Sequence, residues 1–408
     1  MPALSCCARE SQESGAERMA VSASTDWRND FFEFEDATYL AMAAQGPLPR
    51  AAVKALEASL EWKRRPYCIE ESFYFDLPAR VRGLLAQLTG AAPEEIGLTT
   101  GASTGLIGIA GALDWEPGDE ILVARGEFPA QVCTWAPLAA ARGVVLRFVS
   151  PRERFPRAQD FLDQLSPRTR LVSASLVRFD DGSLLDVPAL AAGLAGTRCR
   201  LLLDVTQACG ALPLDLRGLG ADFAVCAAYK WLLGPYGTGF VWARREHTER
   251  MAPAPFFWMA ASSERDFHDL AFDPDASGRY AWQPPAGARR WDVAETASFF
   301  HLSALAASLE FVLRAGPSTV RDHNRALLCA LEERLPADRC VLASPRNPDA
   351  RGPYLCIAAR SPEATVSLYR RLREQKIYVS LRNQALRVAP YLYNTEEDIE
   401  RLLRAITV

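Results

Sequence analysis

The order of apolar and helical segments between residues 95 and 243 places the strongest constraint on the fold of this chain. Apolar runs such as EIGLTT, DEILVAR, VVLRFVS and CRLLLDV alternate with helical stretches such as PAQVCTWAPLAAARG. Apolar strands that are separated by helices of about 10–15 residues predict a mostly parallel sheet with helices on both faces. We therefore expect an α/β fold with a sandwiched central sheet.

The pattern changes near residue 317, where a long helical stretch precedes an apolar strand (PYLCIAAR), a second helix and two short strands. This order is typical of a smaller α+β domain. We expect a disordered tail over 1–25, a large domain over 26–316 and a small C-terminal domain over 317–408. The N-terminal segment of the large domain is expected to contribute to the small domain or to a dimer interface.

Charge and composition disfavour several classes of function. The net charge is −4, which gives no basic field for nucleic acid or a membrane surface. No apolar run approaches the roughly 20 residues that span a bilayer, and residues 1–20 lack the layout of a signal peptide. Ten cysteines without C-x-x-C pairs and four dispersed histidines argue against a metal site. We expect a cytoplasmic protein.

One lysine lies in an unusual setting, the stretch ADFAVCAAYKWLLGPYGTGFVW. The chain has four lysines among 46 basic residues, and Lys230 follows an apolar strand. A buried lysine with a lowered pKa can form an imine, whereas arginine cannot. The structural alternative is a side chain whose ammonium group extends to the surface.

Three further groups of polar or small residues lie at the ends of predicted strands or within them. Gly101–Gly105 opens a helix and offers free N–H groups and hydroxyls to a phosphate, or simply caps that helix. Asp204 ends an apolar strand, with Gln207 three residues later, and is either paired with a cation or a turn residue. Arg387, in an apolar strand of the small domain, suits a carboxylate ligand or a structural ion pair.

Together these features match the needs of pyridoxal 5′-phosphate (PLP). That cofactor requires an imine-forming lysine, an acid beside its pyridine nitrogen and an anchor for its phosphate. An amino-acid substrate adds the need for a group that binds its carboxylate, which an arginine supplies. The sequence therefore predicts a PLP enzyme of small amino-acid metabolism.

The segments DVTQACGALPLDL, ADFAVCAAYKWLLGPYGTGFVW and LRVAPYLYNTEEDIERLL resemble the class V aminotransferase family. The likeness extends from about residue 37 to the C-terminus. It implies the fold-type I PLP-dependent transferase architecture and a homodimer with its site at the subunit interface. Cysteine desulfurases, kynureninases and isopenicillin N epimerase-like proteins belong to this family.

The resemblance implies a role for each motif residue. Lys230 would form the internal aldimine with the cofactor and carry the substrate proton, and Arg387 would hold the substrate carboxylate. Asp204 would pair with the pyridine nitrogen, and Gln207 would hydrogen-bond the ring hydroxyl. The phosphate ligands implied are Ser103, Thr104, Tyr229 and, from the partner chain, Thr296.

Two departures from the family pattern reduce the number of reactions that the resemblance allows. Phe128 stands where desulfurases carry a histidine, so it can stack on the cofactor ring but cannot move protons. No cysteine lies between Glu374 and Arg387, where desulfurases carry their nucleophile, and this argues against a persulfide-forming enzyme. Transamination and elimination at Cβ, of the C–S lyase type, stay open. A non-catalytic descendant that keeps the fold is the alternative from another class.

Overall fold

The computed structural model describes residues 26–249, 251, 257–261, 276–279, 285–296 and 298–407. The predicted tail over 1–25 lies outside the described residues.

The described residues form strands and helices in an order close to that expected from the sequence. The strands are β1 (Thr38–Tyr39), β2 (Ile96–Thr99), β3 (Glu120–Ala124), β4 (Val145–Val149), β5 (Thr169–Ser175), β6 (Arg200–Asp204), β7 (Phe223–Ala227), β8 (Gly239–Ala243), β9 (Cys340–Leu342), β10 (Leu355–Ala359), β11 (Ile377–Tyr378), β12 (Ser380–Arg382) and β13 (Ala385–Val388). The helices are α1 (Arg50–Arg64), α2 (Phe73–Thr89), α3 (Ala102–Ala112), α4 (Pro129–Arg142), α5 (Ala158–Leu162), α6 (Val187–Leu194), α7 (Arg245–Thr248), α8 (Trp258–Ala261), α9 (Phe299–Ala315), α10 (Pro317–Glu333), α11 (Pro362–Glu374) and α12 (Glu396–Thr407).

Seven strands form the central sheet in the order β2-β8-β7-β6-β5-β3-β4. All are parallel except β8, which runs antiparallel to its neighbours β2 and β7. The strands β6, β7 and β8 are buried almost throughout, as expected for a sheet that is covered on both faces. The predicted α/β class with a mostly parallel sheet is confirmed.

Two apolar cores lie on the two faces of this sheet. Along β3, Leu122 belongs to one core and its neighbours Ile121 and Val123 belong to the other, because successive strand side chains point to opposite faces. Helices α2, α6 and α9 contribute to the first core, and α3 and α4 to the second.

The C-terminal part contains a four-stranded antiparallel sheet in the order β12-β13-β10-β9. Helices α10, α11 and α12 pack apolar side chains against those of the strands, and together they form a separate core. The N-terminal segment joins this part, because β1 pairs in parallel with β11. The division at residues 316 and 317 stays a prediction.

Helix α9 meets α10 at an angle of 70°. Within the described ranges, no single helix has both the length and the apolar composition to cross a membrane. Only this bent pair meets those criteria, and only when its two helices are taken together.

Candidate active site

A pocket of about 210 Å³ lies where parallel strands of the central sheet end. In an open α/β sheet the carboxyl ends of parallel strands share one edge, and ligands bind there. Four separate segments of the chain bring predicted site residues to this pocket, namely Ser103, Thr104, Phe128, Asp204, Gln207, Tyr229 and Lys230.

Lys230 lies in the turn that follows β7, and only 8% of it is exposed. Its backbone carbonyl accepts a hydrogen bond from Leu233 N at 2.8 Å. The Nζ atom lies 5.5 Å from the ring centroid of Phe128 and 5.6 Å from that of Tyr229. Burial first, and then the positive charge of Arg387, lower the pKa of Lys230 to about 8. The side chain is therefore a buried amine that is partly neutral near physiological pH.

The N-terminal segment packs closely against the backbone of this turn. Gly46 N donates to the Tyr229 carbonyl at 2.9 Å. A Cβ atom at Gly46 would lie only 2.3 Å from the Lys230 carbonyl oxygen. Glycine is therefore required at this position for the N-terminal segment to support the lysine turn.

Asp204 is the last residue of β6 and is buried in the pocket wall. Its Oδ1 atom accepts a hydrogen bond from Thr206 N at 2.9 Å, and Thr206 Oγ1 accepts one from Ala227 N at 3.0 Å. Burial raises the pKa of Asp204, while its hydrogen bonds with Thr206 and the charge of Lys230 act in the opposite direction. A cationic ligand in the pocket would offset this cost of burying a carboxylate.

Gln207 is held by two hydrogen bonds. Its Nε2 atom donates to the Ala43 carbonyl at 3.0 Å, and its Oε1 atom accepts from Trp231 Nε1 at 2.9 Å. The amide nitrogen carries a second N–H group, and that group suits the ring hydroxyl named for Gln207 above. The side chain therefore connects the N-terminal segment with the pocket.

The predicted phosphate cradle forms the first turn of α3. Thr104 Oγ1 donates to the Gly101 carbonyl at 2.8 Å and lies 3.2 Å from Thr100 Oγ1, while Ser103 is exposed. The free N–H groups at a helix N-terminus favour an anion. Tyr229 also lines the pocket, and its ring centroid lies 4.3 Å from that of Tyr236.

Phe128 is the N-cap residue of α4. The side chain of the preceding residue, Glu127, holds its backbone N–H in place. The Glu127 carboxylate accepts hydrogen bonds from Phe128 N at 2.8 Å and from Ser175 Oγ at 2.7 Å. Burial raises the pKa of Glu127, although the positive charge of Arg178 opposes the change. The rings of Phe128 and Phe179 are packed edge to face, with their centroids 5.2 Å apart. Phe128 is therefore a rigid apolar wall next to Lys230.

Arg387 lies on β13, and only 2% of it is exposed. Its Nη1 atom donates to the carbonyl of Phe179, a residue of the pocket wall, at 2.7 Å. The guanidinium group lies 5.3 Å from the ring centroid of Tyr354. Burial lowers the pKa of Arg387, and its Nε atom is buried without a hydrogen-bond partner in the described structure. Arg387 does not line the pocket itself, but it is hydrogen-bonded to Phe179, which does. Its Nε–H group is available to donate a hydrogen bond to a ligand.

Thr296 is half-buried in the turn before α9 and does not line the pocket of its own chain. The sequence assigned it to the site of a partner chain, so its role stays a prediction.

Several pocket residues were missed by the sequence reasoning, among them Ser175, Phe179, Thr206 and Tyr236. A signal existed for Thr206, which lies between the two residues of the D-x-x-Q motif. Ser175 ends β5, whereas the sequence predicts that this strand continues to Phe179, so the position of Ser175 at the strand end was not evident. Phe179 carries no polar group, and Tyr236 stands in no motif, so only the fold brings them to the pocket.

Comparison with known proteins agrees with this geometry. The family model described as Aminotransferase class-V matches residues 38–402. Isopenicillin N epimerase from Streptomyces clavuligerus is 29% identical, over 88% of this chain and 92% of that protein. Kynureninase from Myxococcus xanthus is 27% identical, over 97% of each chain. The solved complex of a cystine C–S lyase with its product cysteine persulfide is 25% identical, with a TM-score of 0.79, over 91% of this chain and 97% of that one.

The chain belongs to the class V aminotransferase family. Members of this family are PLP-dependent transferases and lyases, and the prediction of a PLP-dependent enzyme is confirmed. The pocket fits the cofactor in three respects. Asp204 is a buried carboxylate that needs a cation, Lys230 is a buried amine with a lowered pKa, and the first turn of α3 suits a phosphate.

We expect the rate at which apoprotein takes up PLP to rise with pH through about 8, the pKa of Lys230. The neutral amine is the nucleophile. With this pKa, the Lys230 amine is neutral in roughly a quarter of the molecules at about pH 7.5, whereas an unperturbed lysine is neutral in roughly 0.1% of them. The measurement is the growth of visible absorption after mixing, from about pH 6.5 to about pH 9.5. A rate that stays low until about pH 10 would contradict the lowered pKa.

Proposed function

We propose that this protein is a PLP-dependent enzyme that acts on a small L-amino acid by removing the proton from Cα. The observation that carries the proposal is the placement of Lys230. It is a buried amine of lowered pKa, in the same pocket as Asp204 and next to the Phe179 wall that Arg387 contacts. PLP, when bound, withdraws electrons from the substrate Cα.

The residues of this chain have separate tasks in the proposal. Lys230 Nζ accepts the Cα proton and later returns it. The Asp204 carboxylate stabilises positive charge at the far end of the pocket, and Arg387 binds the substrate carboxylate. Phe128 excludes water from one face of the pocket and offers no proton.

The reaction after proton removal is transamination or elimination at Cβ. The likeness to a cystine C–S lyase supports elimination. A persulfide on Cys356 is disfavoured, because this residue is buried on β10 and burial raises its pKa to about 12. The proposal also includes a homodimer in the cytoplasm, in which Thr296 contributes to the pocket of the partner chain.

The test follows the visible absorption of the PLP-loaded protein as a panel of L-amino acids is added. A lasting loss of absorption with one amino acid identifies an aminotransferase. Recovery of absorption with release of pyruvate or a related keto acid identifies a lyase. Bound PLP with no response to any amino acid would contradict the proposal and favour a non-catalytic protein.

Replacing Arg387 with glutamine is expected to raise KM about 10-fold or more for every amino-acid substrate. A charge-assisted hydrogen bond to the carboxylate is lost, and such bonds contribute roughly 1.5–3 kcal/mol. The measurement is steady-state kinetics together with the affinity for PLP, which should change little. Arg370→Ala, at an exposed position on α11, is the matched control. An unchanged KM in the Arg387 variant would contradict the assignment.

A further inference from the structure

A second arginine lies beside Arg387 on the hairpin formed by β12 and β13. The turn of this hairpin is Asn383-Gln384, with φ of 42° and 65°. In the ladder, Ser380 is opposite Arg387 and Arg382 is opposite Ala385. Opposite residues share a face, and so do residues two apart along a strand. Arg382 and Arg387 are therefore diagonal neighbours on one face, within reach of a common ligand.

The hairpin contacts the segment after β5 at two points, one of which is a residue of the pocket wall. Asn383 Nδ2 donates to Asp180 Oδ2 at 2.9 Å, and Arg387 Nη1 donates to the Phe179 carbonyl at 2.7 Å. Phe179 lines the pocket and its ring contacts Phe128. Arg382 does not itself line the pocket, but it lies on the same hairpin and its charge acts on Lys230 inside the pocket.

The charge of Arg382 is not balanced by an acid in the described part of the chain. Its Nη1 atom donates to the Leu381 carbonyl at 2.8 Å, and the side chain is only partly buried. The nearby acids Asp180 and Asp181 are paired with Arg178 at 3.2 and 3.5 Å. The positive charges of Arg382 and Arg387 act on each other and both lower the pKa of Lys230.

One substrate carboxylate balances only one of these two arginines. We propose that Arg382 binds a second carboxylate on the substrate side chain, so that the preferred substrates are acidic L-amino acids. This inference rests on the proposed function, in which Arg387 takes the carboxylate next to Cα. An uncharged side chain would leave the guanidinium group of Arg382 without an anion, although it lies close enough to Arg387 for the two positive charges to act on each other.

The experiment compares acid and amide pairs of equal shape. L-aspartate and L-asparagine, and L-glutamate and L-glutamine, are titrated into the PLP-loaded protein, and dissociation constants are taken from the visible absorption. We expect at least one acid to bind about 10-fold more tightly than its amide. Arg382→Gln should reduce that ratio to about 1, and added salt should reduce it in the unmodified protein.

The control variants separate this inference from the proposed function. Arg387→Gln should weaken binding of all four amino acids, and Arg370→Ala should weaken none. Equal binding of acid and amide by the unmodified protein, or a ratio that Arg382→Gln leaves unchanged, overturns the role of Arg382 while the proposed function stands. Bound PLP that responds to no amino acid in a wider panel overturns both. An unchanged PLP spectrum in Arg382→Gln shows that the pocket is intact.

Discussion

Replacing Lys230 with alanine is expected to lower amino-acid turnover by at least about 10³-fold and to remove the visible absorption of covalently held PLP. Proton transfer by a positioned base alone contributes roughly 10²–10⁴-fold, and the same amine also attaches the cofactor. The measurement combines the absorption spectrum, mass spectrometry after borohydride reduction, and turnover. In the unmodified protein the reduced cofactor should be found on Lys230 and on no other lysine.

Two further variants make this result specific. Lys230→Arg keeps a positive charge but cannot attach the cofactor, so it should fail as alanine does. Lys63→Ala removes an exposed lysine on α1 and should change neither absorption nor turnover. The Lys230→Ala apoprotein should unfold at about the temperature of the unmodified apoprotein or above it, because burial disfavours the charged form of Lys230. A Lys230→Ala protein that keeps its absorption and activity would contradict the assignment.

The sequence predicted the central sheet well because its strands are short, apolar and bounded by helices. It predicted less about direction, since the pattern of β8 does not show that this strand runs antiparallel to β7. The residues between them, 228–238, contain no helix in the structure, and a connection without a crossover helix joins antiparallel neighbours. The short connection LLGPYGTG, with its Gly and Pro residues, is the sequence feature that indicates this direction.

The pairing of strands that are far apart in the chain cannot be predicted from a local sequence pattern. The run IYVSLR reads as one strand, yet Ile377–Tyr378 pairs with β1 and Ser380–Arg382 pairs with β13. The partner strand β1 is more than 300 residues away in the chain, and no periodicity within six residues specifies it. The hairpin that places Arg382 beside Arg387 depends on the same division.

The candidate site was predictable where a residue type carries both chemistry and a strand-end position. Asp204 and Lys230 have both properties, and the structure brings them into one pocket. Aromatic residues were less predictable, because an apolar ring serves a core or a pocket equally well. Trp135 and Tyr391 are fully buried in the two cores of the large sheet, whereas Tyr236 lines the pocket with 67% of its surface exposed.

Replacing Asp204 with asparagine is expected to lower turnover by about 10²-fold or more while making the apoprotein more stable. Turnover falls because the variant lacks the negative charge that stabilises the protonated pyridine ring, and the loss of one such interaction costs roughly 10²–10³-fold. Stability changes in the opposite direction. Burial raises the pKa of Asp204, so its charged form opposes folding as the pH rises above the carboxyl range. A neutral isostere removes that cost.

Lower turnover together with higher stability would show that Asp204 serves the reaction and not the fold. A structural aspartate would lose stability on replacement and would affect turnover only through misfolding. The measurements are turnover with a saturating substrate and the midpoint of thermal unfolding of the apoprotein at about pH 7.5. Asp114→Asn, at an exposed position after α3, is the matched control and should change neither quantity. A variant at Asp204 that is less stable but fully active would show that the carboxylate serves the turn after β6 and not the cofactor. The stability gain should also shrink as the pH falls towards the carboxyl range, because the native side chain becomes neutral there.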